Sequence, residues 1–115
     1  MFPHTITIFH HEIQNGSDVY TRYVVPGVYW YGSTGISESG KGAEAVKDIT
    51  IVTSPETART YNKKWRAQAK DRIVKGEHPA ISAFKELEGK EVMTVISVTD
   101  DVIGSNVDNV TIKGK

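Results

Sequence analysis

The chain has no cysteine, which closes off both a disulfide framework and a thiolate metal site and suits a reducing compartment. It has no net charge either: 14 basic side chains balance 14 acidic ones, so the total does not mark a dedicated nucleic-acid or membrane binder. No apolar run approaches the length of about 18 residues that a membrane helix requires. Met1-Phe2-Pro3-His4 enters an alternating pattern directly, without the basic leader and apolar core of a secretory signal. The expectation is a soluble, unprocessed chain made in a cytoplasm, with no membrane partner. Its 115 residues are read as a single domain, 1–115.

What the chain does have is β patterning. Thr5-Ile6-Thr7-Ile8-Phe9-His10 places Ile6, Ile8 and His10 on one face and Thr5, Thr7 and Phe9 on the other. Asn15-Gly16-Ser17-Asp18 is turn chemistry, because asparagine and glycine accept positive φ, and Val19 to Val25 returns as the second arm of a hairpin. Pro26-Gly27 should break that strand before Val28-Tyr29-Trp30-Tyr31, since proline cannot donate to a ladder. Val46 to Val52 carries the chain back, with Ile49 to Thr53 as a third strand. Glu56 to Ala69 fits two readings. Ala58, Tyr61, Trp65 and Ala69 fall near helical spacing, and Pro55 suits a first helical turn. Thr57, Thr60 and Asn62 are poor helix formers and favour a strand through Ala58-Arg59-Thr60-Tyr61, the reading adopted. Asp71 to Gly76 is a short strand. Pro79 to Leu87 is the best helix, with Ile81, Phe84 and Leu87 on one face and Gly89 as its stop. Val92 to Val98 is the most apolar strand. Asp100-Asp101 and Gly104-Ser105-Asn106 mark a turn, and Asn109 to Ile112 closes the sheet. The fold class expected is mainly β: a small antiparallel barrel or sandwich with one short helix and a long flexible loop.

That loop, residues 32–45, joins the aromatic strand to its successor: Gly32-Ser33-Thr34-Gly35-Ile36-Ser37-Glu38-Ser39-Gly40-Lys41-Gly42-Ala43-Glu44-Ala45. Four glycines and three serines leave little apolar surface to offset the entropy of ordering it, so Gly32 to Gly42 is taken as a mobile interaction loop. Gly35-x-x-x-x-Gly40-Lys41-Gly42 falls one residue short of a phosphate-binding loop, because Gly42 stands where the magnesium-holding hydroxyl belongs. His4, His10, His11 and His78 carry no ligand spacing. Adjacent His10 and His11 point to opposite faces of a strand and cannot share one ion without a bulge. No nucleophile elbow, zincin helix or paired-carboxylate motif is present, and the chain is read as a non-enzyme without cofactor or metal.

Charge, though balanced, is segregated. Lys63, Lys64, Arg66, Lys70, Arg72 and Lys75 form a run with Asp71 as its only acid, whereas Glu77, Glu86, Glu88, Glu91, Asp100, Asp101 and Asp108 lie beyond it. Such a run serves either as a solvated face or as a docking or DNA-proximal surface. Trp65 within it serves as a packing residue or as a base-stacking platform. Tyr20, Tyr23, Tyr29, Trp30 and Tyr31 supply either a polar-rimmed core or an interface.

Taken together, Pro3-His4-Thr5-Ile6-Thr7-Ile8-Phe9, Gly27-Val28-Tyr29-Trp30, Asp71-Arg72-Ile73-Val74-Lys75-Gly76 and Val95-Ile96-Ser97-Val98-Thr99-Asp100 resemble, from end to end, a family of small proteins of tailed bacteriophages and Gram-positive prophages. These are minor capsid or head-tail connector proteins. The resemblance implies a head-closure, or stopper, component: a virion protein of the neck, monomeric when isolated. In the particle, copies would form a ring between portal or adaptor and tail and retain packaged DNA. Its partners would be other neck proteins and copies of itself, with Lys41 the residue nearest DNA phosphate. Two other readings stay open: another neck or tail-completion protein, and a small nucleic-acid-binding β-barrel.

Overall fold

The computed structural model describes residues 2–32, 49–103 and 106–115. Six strands close into an antiparallel barrel in the order β1-β2-β3-β6-β5-β4. They are β1 (His4–Gln14), β2 (Ser17–Tyr31), β3 (Ile49–Thr53), β4 (Arg72–Lys75), β5 (Val92–Ile103) and β6 (Asn106–Gly114). The alternation of Ile6 and Ile8 with Thr7 and Phe9 drives β1 as expected, but all four are buried. Ile6 and Ile8 join Val25, Val28, Trp30, Ile49, Ile51, Ile73, Met93, Val95, Val110 and Ile112 inside the barrel. Phe9 packs outside it, with Val74 and Leu87, beneath the segment that joins β4 to β5. Thr7 is buried between the two clusters, and its hydroxyl donates to the Gly76 carbonyl at 2.8 Å while accepting the His78 amide at 2.9 Å. Each large apolar side chain so buried contributes about 1.5–3 kcal/mol.

Pro26-Gly27 does not end the second strand. β2 runs through it as a bulge: His4 pairs with Val28 but Ile6 with Val25, so one extra residue sits on β2. The bulge explains a pattern that strict alternation forbids. Val25 and Val28, three residues apart, both face the core because the inserted residue restores the phase. Gly27 takes φ +69°, which glycine tolerates. A second bulge, between Val95 and Ser97 on β5, expels Ile96 to solvent and keeps Val95 and Val98 in register with the core. Opposite it Gly114 is buried so tightly that a Cβ would collide with the Thr94 carbonyl.

Three other expectations are corrected. Ala58 to Tyr61 is not a strand. A short helix α1 (Pro55–Ala58) opens the segment, capped by the Ser54 hydroxyl, and turns follow, with a single parallel bridge between Tyr61 and Trp65. Residues 79–87 form no α-helix; a 3-10 turn spans Phe84–Leu87 only. An isolated helix of that length does not offset its nucleation cost, and Ile81, Phe84 and Leu87 instead pack as a strap against one apolar cluster with Phe9 and Val74 on the barrel wall. Asp100 and Asp101 lie inside β5, opposite Val110 and Asn109, and not in a turn. Of the expected strand Val46 to Val52, residues 46–48 lie outside the described residues, as do Ser33 to Ala45 of the expected loop.

Because strand directions alternate around the barrel, the Asn15–Gly16 turn and the paired strand ends Ile103 of β5 and Asn106 of β6 lie at one end. The crossover from Ser54 to Asp71 spans that same end, joining the upper ends of β3 and β4. The strand ends that flank residues 32–48, Tyr31 and Ile49, lie at the opposite end.

Candidate functional site

Among the described residues, the crossover end gathers a short helix, successive turns and several side-chain hydrogen bonds. Its backbone is pinned to the β2 bulge: the Ser54 amide donates to the Gly27 carbonyl at 2.9 Å, and the Thr57 hydroxyl donates to the Pro26 carbonyl at 2.9 Å. Ala58, Trp65 and Ala67 descend from it into the core and close the mouth of the barrel. The Trp65 indole N–H donates to the Thr57 carbonyl and the Thr60 hydroxyl, and the ring meets Tyr61 edge-on at 4.8 Å. Trp65 is therefore a packing residue and offers no face to a nucleic-acid base.

The basic run is divided by this geometry. Lys63, Lys64, Arg66 and Lys70 are exposed on the crossover. Arg72 starts β4 with its guanidinium 4.4 Å from the centre of the Phe84 ring and donating to the Lys70 carbonyl at 2.9 Å. Lys75 ends β4, at the other end of the barrel. So Lys63 to Arg72 share one end, whereas Lys75 and the residues that flank the Gly32–Gly42 segment belong to the other. Of that segment Gly32 alone is described, with φ +100°, and Ser33 to Gly42 lie outside the described residues.

Beside the crossover is a pair that the reading of the sequence passed over. His10 Nδ1 lies 2.6 Å from Asp71 Oδ1, and Asp71 Oδ2 accepts the Gln68 amide at 2.9 Å. Asp71 is only 2 % exposed. Burial pushes its carboxyl above the ordinary range, and the hydrogen bonds from His10 and Gln68 draw it part of the way back. His10 Nε2, held by the bond at Nδ1, stands 3.8 Å from Glu12 Oε1 in a polar cleft of about 170 Å3 that Thr21, Tyr23 and Arg66 also line. The arrangement ties the crossover to the β1–β2 hairpin. The available clue was that Asp71 is the lone acid within a run of cations, which marks a carboxylate with a local partner; that the partner is His10, 61 positions away, depends on the closure of β1 against β4.

The other histidines are dispersed. His11, on the opposite side of β1, bonds Asp18 at 2.9 Å and packs against Tyr20 and Phe84. His4 accepts the Trp30 amide and stacks on Tyr29. His78 sits edge-on to Phe9. Among the described residues no three histidine or carboxylate side chains are grouped to hold a metal, and no helix is long and apolar enough to cross a membrane. The aromatic residues divide: Trp30 is buried in the core, Tyr23 is packed against it, Tyr20 anchors Phe84, and Tyr29 and Tyr31 meet at 4.5 Å on the outer wall, 37 % and 46 % exposed.

A second cleft, of about 260 Å3, opens between β2 and the crossover, lined chiefly by Val24, Val25, Pro26, Thr57, Lys64 and Trp65. It is mainly apolar. β2 pairs with β3 only from Val28 onward, so the strand edge above Pro26 has no neighbour on that side among the described residues. The same holds for β1 beyond Phe9 on its β4 side and for β5 beyond Val95 on its β4 side. Each hairpin thus stands out from the closed barrel as a two-stranded arm.

The model of one family, described as "Family of unknown function (DUF6751)", matches residues 1–115. No curated protein matches the chain, and no solved structure does.

Proposed function

The chain belongs to the DUF6751 family, and we propose that it is a structural subunit of a tailed-phage neck, a head-closure protein whose copies form a ring between portal or adaptor and tail and hold packaged DNA in the head. The observation that carries this reading is the pair of two-stranded arms at one end of a closed barrel. A barrel abolishes sheet edges where it closes, and a chain that closes one yet extends both hairpins beyond it presents open edges to other chains. Arms of that kind support strand-mediated contact with a neighbouring subunit. Between them lie the exposed cations Lys63, Lys64, Arg66 and Lys70, suited to sequence-independent contact with phosphate. The reading places virion assembly, and not turnover of a substrate, at the centre of the protein's role.

The test is head closure. Neutralising Lys63, Lys64 and Arg66 leaves the fold intact, because all three are exposed, and weakens docking and DNA retention with a salt dependence. Replacing 33–44 by a tight turn yields filled heads that fail to close. Normal titres from both variants would count against the reading.

One observation favours a second reading. His4, Tyr29 and Tyr31 form a partly exposed aromatic cluster on the barrel wall, His4 stacked on Tyr29 and Tyr31 edge-on to it, whose ring faces are of the kind on which single-stranded bases pile. Micromolar binding of single-stranded DNA by the isolated chain at physiological salt, lost on Tyr29→Ala and Tyr31→Ala, would favour a nucleic-acid-binding barrel. A stopper subunit binds DNA poorly until it is assembled.

A further inference from the structure

We infer that the tip of the β1–β2 arm of one copy docks in the cleft between β2 and the crossover of a second copy. The inference rests on the reading of the chain as a ring subunit, and names the contact that joins its copies. Ile13, near the tip, is 67 % exposed, the most exposed large apolar side chain among the described residues. It is flanked by Glu12 and faces Asp18 across the ladder. From Glu12 to Asp18 the tip carries two carboxylates and no cation. Gln14 donates to Glu12 at 2.9 Å, and His11 reaches Asp18 at 2.9 Å, which leaves further lone pairs on both carboxylates free to accept.

The cleft is complementary in both respects. Its floor is apolar, formed by Val24, Val25, Pro26 and Trp65, and about 260 Å3 accommodates one branched aliphatic side chain. Lys64 stands on its rim, and from Arg59 to Arg66 the crossover carries Arg59, Lys63, Lys64 and Arg66 with no carboxylate. Glu56 also lines the cleft and offsets Lys64, so the positive excess on this side comes from Arg59, Lys63 and Arg66, exposed on the same crossover. An apolar knob with Asp18 beside it and Glu12 on the other face of the same tip thus matches an apolar hole with Lys64 at its rim, on a crossover that carries further exposed cations. The tip cannot fill the cleft of its own chain: Ile13 pairs with Asp18 and Thr7 with Val24, six rungs of one ladder apart, about 20 Å. Contact between unlike patches is head-to-tail, the type that closes into rings.

The absence of cysteine makes the test clean. Ile13→Cys and Val24→Cys are placed in separate copies, mixed at low salt and oxidised. The expected result is a mixed cross-linked dimer that forms several-fold faster than either like pair. Glu12→Lys/Asp18→Lys in the Ile13→Cys copy, or Lys63→Glu/Lys64→Glu in the Val24→Cys copy, each slows cross-linking by at least about tenfold, and combining the two reversals restores it. Thermal unfolding of every variant, all at exposed positions, confirms that it is folded. Cross-linking no faster than the like pairs, or indifferent to charge reversal, overturns the inference. If copies still associate by light scattering in that case, the ring reading stands and only this contact falls; if the chain stays monomeric both free and on filled heads, both fall.

Discussion

Replacing Gly27 by alanine tests how the crossover is attached to the barrel. Gly27 has φ +69°, and a Cβ there would stand 2.5 Å from the Thr57 hydroxyl oxygen and 3.1 Å from that of Ser54. Holding a non-glycine residue in left-handed backbone costs about 1–2 kcal/mol. Relieving the collision means swinging the Thr57 hydroxyl away, which forfeits its bond to the Pro26 carbonyl, a further 0.5–1.5 kcal/mol or so. The combined loss is about 2–3 kcal/mol. With an unfolding entropy of about 2.1 cal/mol/K per residue, a chain of 115 residues then melts about 10 °C lower. Gly16 is the internal control. Its φ is +79°, yet a Cβ there would meet nothing within 4 Å, so Gly16→Ala carries the backbone cost alone. Thr57→Ala supplies the second arm of a double-mutant cycle: with the hydroxyl gone, the additional cost of Gly27→Ala shrinks to that of Gly16→Ala. Thermal and urea unfolding followed by circular dichroism measures all four. Equal losses at Gly27 and Gly16, or an undiminished loss in the Thr57→Ala background, would refute the reasoning.

Two further predictions concern the wall and mouth of the barrel. Burial raises the Asp71 pKa in the folded chain above its ordinary value of 3.8, so the folded state binds the proton more tightly than the unfolded one. This contribution to stability is fully present below the ordinary value and is lost as pH rises through the folded pKa, and Asp71→Asn abolishes that decline; urea titrations whose pH slopes match in the two proteins just above 3.8 would contradict it. Phe84 holds the β4–β5 connection to the wall through Tyr20, His11 and Arg72, so Phe84→Ala lowers stability by about 1–3 kcal/mol and speeds amide exchange over 77–90 ahead of the barrel strands, whereas a uniform acceleration across the chain would show that the segment is not a separate unit.

The strands were legible because each alternates in hydrophobicity over a run longer than its irregularities. Asn15-Gly16 announced its turn, and both residues do take positive φ. The bulges were harder to see. Pro26-Gly27 has the composition of a break, and only its neighbours in space, the Ser54 amide and the Thr57 hydroxyl of the crossover, make it a kink within one strand. Helical spacing in 79–87 misled, because Ile81, Phe84 and Leu87 satisfy a helix and a strap over a barrel equally well. The His10–Asp71 pair was invisible for a different reason: strand closure, not local sequence, brings the two together. The basic run was visible as a string but not as a surface, since Lys75 leaves for the far end of β4 while Lys63, Lys64, Arg66 and Lys70 remain on the crossover.

Electron microscopy of DNA-filled heads prepared with and without this protein addresses its role most directly. The account predicts a ring of density beneath the portal that appears only when the protein is supplied, together with heads that keep their DNA. Heads that retain DNA equally well without it, and that carry no added density with it, would contradict the account.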